Sequence, residues 1–248
     1  MQPIKHFAIR MGLYRPARLL HRAIYRAERL SFRSGLKFYS EFIKSGDLVF
    51  DVGANIGAKT EIYLKLGARV VAIEPQRELA AEIRARSSAY RGMCEVVEVG
   101  ISDRIGTAQF QLREPNVNAT LTPDWPGIHV GAMTIATTTL NQLIGSYGKP
   151  SFIKMDIEGH EFCALQGLSE PIDYLTIEYF CDDRGIERIR NCISYLSSLC
   201  PVTINATGKE DHRLLFSRWM NSEHFIKSFP HCVQPNFYGD LIIHAQAV

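Results

Sequence analysis

The chain of 248 residues is 46% hydrophobic and 22% charged, with a formal net charge of +2. This composition can bury one sizeable core, which excludes global disorder, and the length fits a single α/β domain with additions. No run of about 18 apolar residues occurs, which excludes an ordinary membrane span. Residues 1–33 lack the apolar stretch of a secretory signal, and the six cysteines form no C-x-x-C pair, so we expect free thiols and a cytoplasmic protein.

The first 40 residues carry a basic charge that the rest of the chain does not share. They hold nine lysines and arginines against one acid, Glu28, for a net charge of +8, whereas the remainder carries −6. Over residues 16–32, apolar residues and arginines each recur with helical spacing, which predicts a basic amphipathic helix. Residues 16–33 could contact an anionic membrane surface. We favour packing against the main domain, because aromatic anchors are sparse, and we expect no nucleic acid partner.

The stretch from residue 48 to residue 57 predicts a buried strand that turns sharply into a helix. An apolar run reaches Asp51 and breaks at Gly53 and Gly57, where the missing side chains let the backbone bend and lie against a ligand. Ligands of open α/β sheets bind at such carboxyl ends of strands. Asn55 stands where a dinucleotide site would have its second glycine, which argues against a pyrophosphate and for a smaller, zwitterionic group.

An acidic residue at the end of the next strand supports a nucleoside ligand. The apolar strand over residues 70–73 ends at Glu74, about 20 residues past the glycine turn, where a carboxylate commonly accepts hydrogen bonds from ribose hydroxyls. The structural alternative is that Glu74 only caps the helix that follows. The joint spacing of the turn and the carboxylate favours the ligand site.

Strands and helices then alternate along the chain, which predicts a mostly parallel, doubly wound sheet of seven strands with helices on both faces. Residues 107–112 form a short inserted strand in this scheme. Residues 114–131, with three prolines, predict a long loop of the kind that serves as a lid or a substrate-binding segment. The expected strands of the main sheet cover residues 48–52, 69–74, 95–99, 151–156, 174–178, 202–205 and 238–244.

A second concentration of polar residues lies at residues 153–161. Lys154 and Asp156 fall on one face of a strand, and Glu158 continues that face at the strand's end. Charges inside so apolar a strand are costly unless they are paired or functional. Lys154 and Asp156 could form a structural ion pair, but clustered carboxylates at a carboxyl-end crevice more often mark a site.

These stretches together resemble the FkbM family of S-adenosylmethionine-dependent methyltransferases. The resemblance runs in family order over roughly residues 47–180, and its departure is Asn141, where family members usually carry an aspartate. It implies a Rossmann-like class I methyltransferase fold for residues 46–248, preceded by a basic helical extension, residues 1–45. The motifs that carry it are Asp51-Val52-Gly53-Ala54-Asn55-Ile56-Gly57, Ile73-Glu74-Pro75, Ser102-Asp103, Thr138-Thr139-Leu140 and Ile153-Lys154-Met155-Asp156-Ile157-Glu158-Gly159-His160-Glu161.

The resemblance also implies how the cofactor would bind. The methionine end of S-adenosylmethionine would lie over residues 53–57, including Ala54, with Asp51 and Asn55 orienting its amino and carboxylate groups. Its ribose would lie on Glu74. The adenine would lie near Ser102 and Asp103.

The implied reaction is O-methylation of a hydroxyl on a small molecule, namely a sugar, glycan or secondary metabolite. An alcohol needs a base, since its pKa is high. Asp156 ranks first, Glu158 second, and Glu178 is a more distant candidate. His160 could also be the base, but a lone histidine at a helix start is more often a cap or a solvated residue. The carboxylates could instead hold a divalent cation. The competing functions are a nicotinamide-dependent oxidoreductase and a non-catalytic adaptor that binds membrane or nucleic acid through its basic helix.

Overall fold

The computed structural model describes residues 30–114, 119–123, 125, 127–208, 212–234 and 237–246. Seven helices and eleven strands lie in this part of the chain. The helices are α1 (30–39), α2 (Ala58–Lys65), α3 (Arg77–Ser87), α4 (Leu140–Tyr147), α5 (Glu161–Leu165), α6 (Asp183–Leu199) and α7 (Ser222–Cys232). The strands are β1 (Leu48–Val52), β2 (Arg69–Ile73), β3 (Cys94–Val97), β4 (Gly100–Ile101), β5 (Gly106–Glu114), β6 (Ile128–Thr138), β7 (Phe152–Met155), β8 (Tyr174–Phe180), β9 (Val202–Ala206), β10 (Met220–Asn221) and β11 (Tyr238–Ala245).

The main sheet has the strand order β10-β9-β11-β8-β7-β1-β2-β3. Strands β3, β2, β1, β7 and β8 pair in parallel, and β11 runs antiparallel between β8 and β9. This arrangement confirms the doubly wound, mostly parallel sheet of the class I methyltransferase fold. The expected number of seven strands was wrong, because the two-residue strand β10 adds an eighth at the edge beside β9. So short a strand has no periodicity that a sequence could reveal.

Alternate side chains of the central strands enter two separate cores. Phe50 of β1 and Ile153 of β7 point to one face of the sheet, which α4, α5, α6 and α7 cover. Val49 and Phe152 point to the opposite face, where they pack with α1, α2 and α3. Because both faces of β1 and β7 are buried, these strands read as nearly continuous apolar runs.

A second sheet, in the order β4-β6-β5, stands apart from the main one. The sequence predicts a short strand over 107–112 and a loop over 114–131, whereas β5 extends to residue 114 and β6 begins at residue 128. The two strands pair antiparallel with a bulge after Leu112. Ile128 and Val130 alternate with His129 and Gly131, a period-two signal that could have indicated a strand. Both apolar side chains are exposed, so this end of β6 has no buried face.

The segment before β1 packs on the main domain. Tyr39, Phe42 and Ile43 are buried in the core beside Phe152. Most of the basic helix predicted over residues 16–32 lies outside the described residues, and the division of the chain at residues 45 and 46 stays a prediction. Among the residues that the structure describes, no helix is long and apolar enough to cross a membrane, and the cysteines are free thiols, as expected.

Candidate active site

The glycine turn after β1 touches the carboxylate-bearing segment after β7. Gly53 has a φ of 80°, and a Cβ on it would lie 1.9 Å from the carbonyl oxygen of Asp156. The Asp156 amide donates to the carbonyl of Val52 at 3.0 Å. Only glycine fits this position, because any side chain would collide with the backbone and would also be strained at positive φ. The two motifs therefore form one continuous site.

Glu74 connects this turn to the start of α3. Its carboxylate accepts hydrogen bonds from the backbone amides of Asn55, at 3.0 Å, and Gln76, at 2.9 Å. Burial raises the pKa of Glu74, and these backbone donors oppose the shift. Because each carboxylate oxygen has a further lone pair, Glu74 can cap α3 and still accept hydrogen bonds from a ligand.

A cavity of about 460 Å³ lies in front of the turn. Three of the residues predicted to bind the cofactor line this cavity, namely Gly53, Asn55 and Glu74. Gly100 and Ile101, which precede Ser102 in the chain, line it as well. The cavity also meets the second motif. Its walls there are formed by Asp156, Ile157, Glu158, His160, Glu178 and Tyr238.

The other predicted cofactor residues do not line this cavity. Asp51 lies on the opposite face of the sheet and accepts a hydrogen bond from Thr60 Oγ1 at 2.5 Å; burial raises its pKa to about 6. Ala54 and Gly57 form the hidden side of the turn, where Gly57 faces Ile83 of α3. These three positions support the turn rather than the cavity wall.

Ser102 and His160 form a hydrogen-bonded pair beside the cavity, and His160 forms part of the cavity wall. Ser102 Oγ lies 3.2 Å from His160 Nε2 and donates to Asp103 Oδ1 at 3.1 Å. Burial lowers the pKa of His160, although the charge of Asp103 opposes the shift. His160 Nε2 is thus engaged by Ser102, one of the residues predicted to lie near the adenine.

Three carboxylates meet where β7 and β8 end. Asp156, Glu158 and Glu178 each place an oxygen within 4.8 Å of the others. Burial, and then the charge of Asp156, raises the pKa of Glu158 to about 8 and holds the pKa of Glu178 well above its ordinary range. Glu158 and Glu178 therefore hold protons near neutral pH. The three could also ligate a divalent cation through their oxygens.

Lys154 forms the ion pair that the sequence allowed and adds a second partner. Its Nζ lies 3.3 Å from Asp156 Oδ2 and 2.7 Å from Asp240 Oδ1. Burial alone would lower the pKa of Lys154, but the charges of Asp156 and Asp240 outweigh it and raise that pKa well above its ordinary value. Asp240 lies in β11 and was not predicted. An acid within an apolar strand is a signal that could have indicated it.

The loop between β5 and β6 closes over Glu158. Thr120 Oγ1 donates to the carbonyl of Glu158 at 2.7 Å, and Trp125 Nε1 donates to Glu158 Oε2 at 2.7 Å. Glu158 itself has a φ of 55°, a conformation that is uncommon for a residue with a side chain. The described part of the loop thus holds Glu158 in a fixed position at the site.

A second cavity, of about 300 Å³, lies beyond the carboxylates. It shares Glu158, Glu178 and Tyr238 with the first cavity. Trp125, from the loop predicted as a lid or substrate-binding segment, forms another part of its wall together with Arg188, which sequence patterns did not indicate. The carboxylates therefore lie at the junction of two cavities.

Comparisons with known proteins identify relatives of this chain. The sequence model of one protein family, the methyltransferase FkbM domain, matches residues 51–180. This match confirms the resemblance. The hexuronic acid methyltransferase AglP of Haloferax volcanii is 27% identical over 148 residues, which span 58% of this chain and 60% of that protein.

Two solved structures of methyltransferases are similar to this chain. The O-methyltransferase of Bacillus cereus in complex with SAH matches at 14% identity and a TM-score of 0.45, covering 88% of this chain and 78% of its own. The precorrin-6y C5,15-methyltransferase of Geobacter metallireducens matches at 8% identity and a TM-score of 0.46, covering 88% of each chain.

The protonation of Glu158 should appear in the pH dependence of stability. The pKa of Glu158 rises from 4.5 to about 8 on folding, so between these pH values the folded state holds a proton that the unfolded state has released. The free energy of unfolding should therefore fall as pH rises from 5 to 8. With about 1.4 kcal/mol per pKa unit, Glu158→Gln should reduce this fall by roughly 3 kcal/mol, measured by urea denaturation with a chelator present.

The exposed Glu78 provides the matched control. Glu78→Gln should leave the pH dependence of stability as it is in the wild type. Parallel pH profiles for the wild type and Glu158→Gln would contradict the protonation assigned to Glu158.

Proposed function

The chain belongs to the FkbM methyltransferase family, and we propose that it is an S-adenosylmethionine-dependent O-methyltransferase acting on a sugar hydroxyl. The contact between the turn at Gly53 and the carboxylate segment at Asp156 carries the proposal. It brings a nucleoside-type cavity and a group of acids to one edge of the sheet. Such an edge is where open α/β sheets bind their ligands.

The residues of the larger cavity fit the cofactor. Glu74 is an acceptor-only group when ionised, and two ribose hydroxyls are donors that match it. The backbone at Gly53 and Asn55 would follow the methionine end, and Ile101 would lie toward the adenine, one residue before Ser102. The bound cofactor supplies a methyl group attached to a sulfonium sulfur. The sulfur is an excellent leaving group, because it leaves as a neutral thioether. Asp51 would then act by supporting the turn.

The protein's own task is to place a hydroxyl and remove its proton. We assign removal of the hydroxyl proton to Asp156. Its carboxylate oxygen Oδ2 lies 3.3 Å from Nζ of Lys154, which is its ion-pair partner. Glu158 and Glu178, which hold protons at neutral pH, would donate hydrogen bonds to the acceptor's oxygens. His160 ranks behind these acids, because its ring is hydrogen-bonded to Ser102. Alignment of the hydroxyl within the cavity accounts for much of the expected rate.

A similar protein and the size of the smaller cavity both favour a sugar as the acceptor. The similar protein from Haloferax volcanii is a hexuronic acid methyltransferase. The cavity beside the carboxylates, at about 300 Å³, is at the lower end of the roughly 300–1,000 Å³ found for ligand pockets. It therefore suits one ring of a small molecule or glycan rather than a long polymer segment.

Calorimetric titration tests the cofactor assignment without an acceptor. Wild-type protein should bind S-adenosylmethionine and S-adenosylhomocysteine but not NAD. Glu74→Ala should weaken both by about 10- to 100-fold, since hydrogen bonds to a charged group contribute roughly 1.5–3 kcal/mol. Glu78→Ala, which alters an exposed acid on the following helix, should bind as the wild type does. Binding of NAD alone would support the oxidoreductase. If none of the three compounds binds, the result would support the adaptor.

Substitution of Asp156 tests the base. Asp156→Asn should keep its affinity for S-adenosylhomocysteine while turnover falls by about 10²- to 10⁴-fold, the usual contribution of a positioned base. Turnover is measured as S-adenosylhomocysteine release with hexuronic acids as acceptors. Unchanged turnover would assign Asp156 to structure. Loss of wild-type activity in EDTA, restored by Mg²⁺, would favour the cation over the base.

A further inference from the structure

The smaller cavity contains a guanidinium with few partners. Arg188 of α6 lines this cavity but not the cofactor cavity, and its side chain is 27% exposed. Its guanidinium lies over the ring of Trp125, 4.8 Å from the centroid. A guanidinium has five N–H donors, so a ring contact alone leaves most of its hydrogen-bonding capacity unused.

Among the described residues, Arg188 forms one long ion pair. Asp182 Oδ1 lies 3.8 Å from Arg188 Nη2, which is beyond hydrogen-bond length. That same oxygen already accepts the amide of Gly185 at 2.5 Å, capping α6. Within the described chain, no hydrogen-bond acceptor is placed on the guanidinium.

The other acids of the cavity are engaged elsewhere. Glu161 accepts the amides of Ile157 and Gly159, at 3.1 and 3.2 Å. Glu158 accepts from Trp125 Nε1, and Glu178 lies at the junction with the cofactor cavity. The N–H donors of Arg188 are therefore available to an anionic ligand in the smaller cavity, at a part of the wall that the two cavities do not share.

Trp125 fixes where this charge lies. Its indole nitrogen is bonded to Glu158, and its six-membered ring packs so closely on Gly159 that a Cβ there would lie 2.4 Å from it. The ring is thus held from two directions, and Arg188 lies on it. Trp125 is therefore a positioning residue that couples the guanidinium to the carboxylate junction.

We propose that the acceptor carries a carboxylate and that Arg188 binds it, so that the methylated compound is an acidic sugar rather than a neutral one. The inference rests on the proposed function and extends it to the acceptor. A guanidinium binds a carboxylate through two parallel hydrogen bonds, which fixes orientation as well as adding affinity. With its carboxylate on Arg188, the acceptor's ring spans the cavity and presents a hydroxyl at Glu158 and Glu178.

The experiment is a ligand-observed NMR titration of the full chain, with and without S-adenosylhomocysteine. The probes are D-glucuronate, D-galacturonate and D-mannuronate, each compared with its neutral hexose. At least one hexuronate should bind saturably and at least tenfold more tightly than its hexose. Arg188→Gln should weaken the binding of that hexuronate tenfold or more and leave the affinity for the hexose unchanged. Arg188→Lys should bind the hexuronate with an affinity between those of the wild type and Arg188→Gln. Arg190→Gln, an exposed arginine on the same helix, should match the wild type.

Equal binding of hexuronate and hexose, no saturable binding of any hexuronate, or an unaffected Arg188→Gln variant would overturn the assignment of Arg188. Calorimetry with S-adenosylhomocysteine separates this failure from that of the proposed function. Intact cofactor binding with failed hexuronate selectivity overturns the acidic acceptor alone. Absence of cofactor binding overturns the methyltransferase proposal, whatever the sugar titrations give.

Discussion

The close approach of Gly53 to the backbone of Asp156 is the constraint on which the site depends. Strands β1 and β7 are parallel neighbours, with Val52 opposite Met155, so the segments that follow them leave the sheet side by side. A Cβ on Gly53 would lie 1.9 Å from the Asp156 carbonyl oxygen. Without the glycine, the turn that faces the cofactor cavity and the segment that bears the acids would be forced apart.

Burying several charges at this edge requires compensation, and the fold supplies it from outside the two motifs. Lys154 is 3% exposed and lies between Asp156 and Asp240; an unpaired charge there would be severely unfavourable. Glu158 and Glu178 meet the same problem by holding protons. The site therefore combines one paired carboxylate with two neutral acids, a division suited to accepting one proton while donating hydrogen bonds.

The parts of the site that the sequence predicts are those set by local spacing on adjacent strands. Glu74 and the Lys154–Asp156 pair follow from the ends of apolar runs and from strand alternation. Asp240 stands out in the sequence as an acid within an apolar strand, but its place beside Lys154 depends on how β11 returns between β8 and β9. The place of Arg188 depends on how α6 packs. Trp125 belongs to a proline-rich stretch without periodicity, and its contact with Glu158 arises only in the folded chain.

A crystal structure of the full chain with S-adenosylhomocysteine would show whether the glycine turn and the carboxylates form one methyl-transfer site. We expect ribose hydroxyls within hydrogen-bond distance of Glu74, the methionine end along residues 53–57, and the sulfur facing Asp156. A ligand bound outside this cavity would rule out such a site, as would a ligand bound within it without contact to Glu74 and with its sulfur turned away from Asp156.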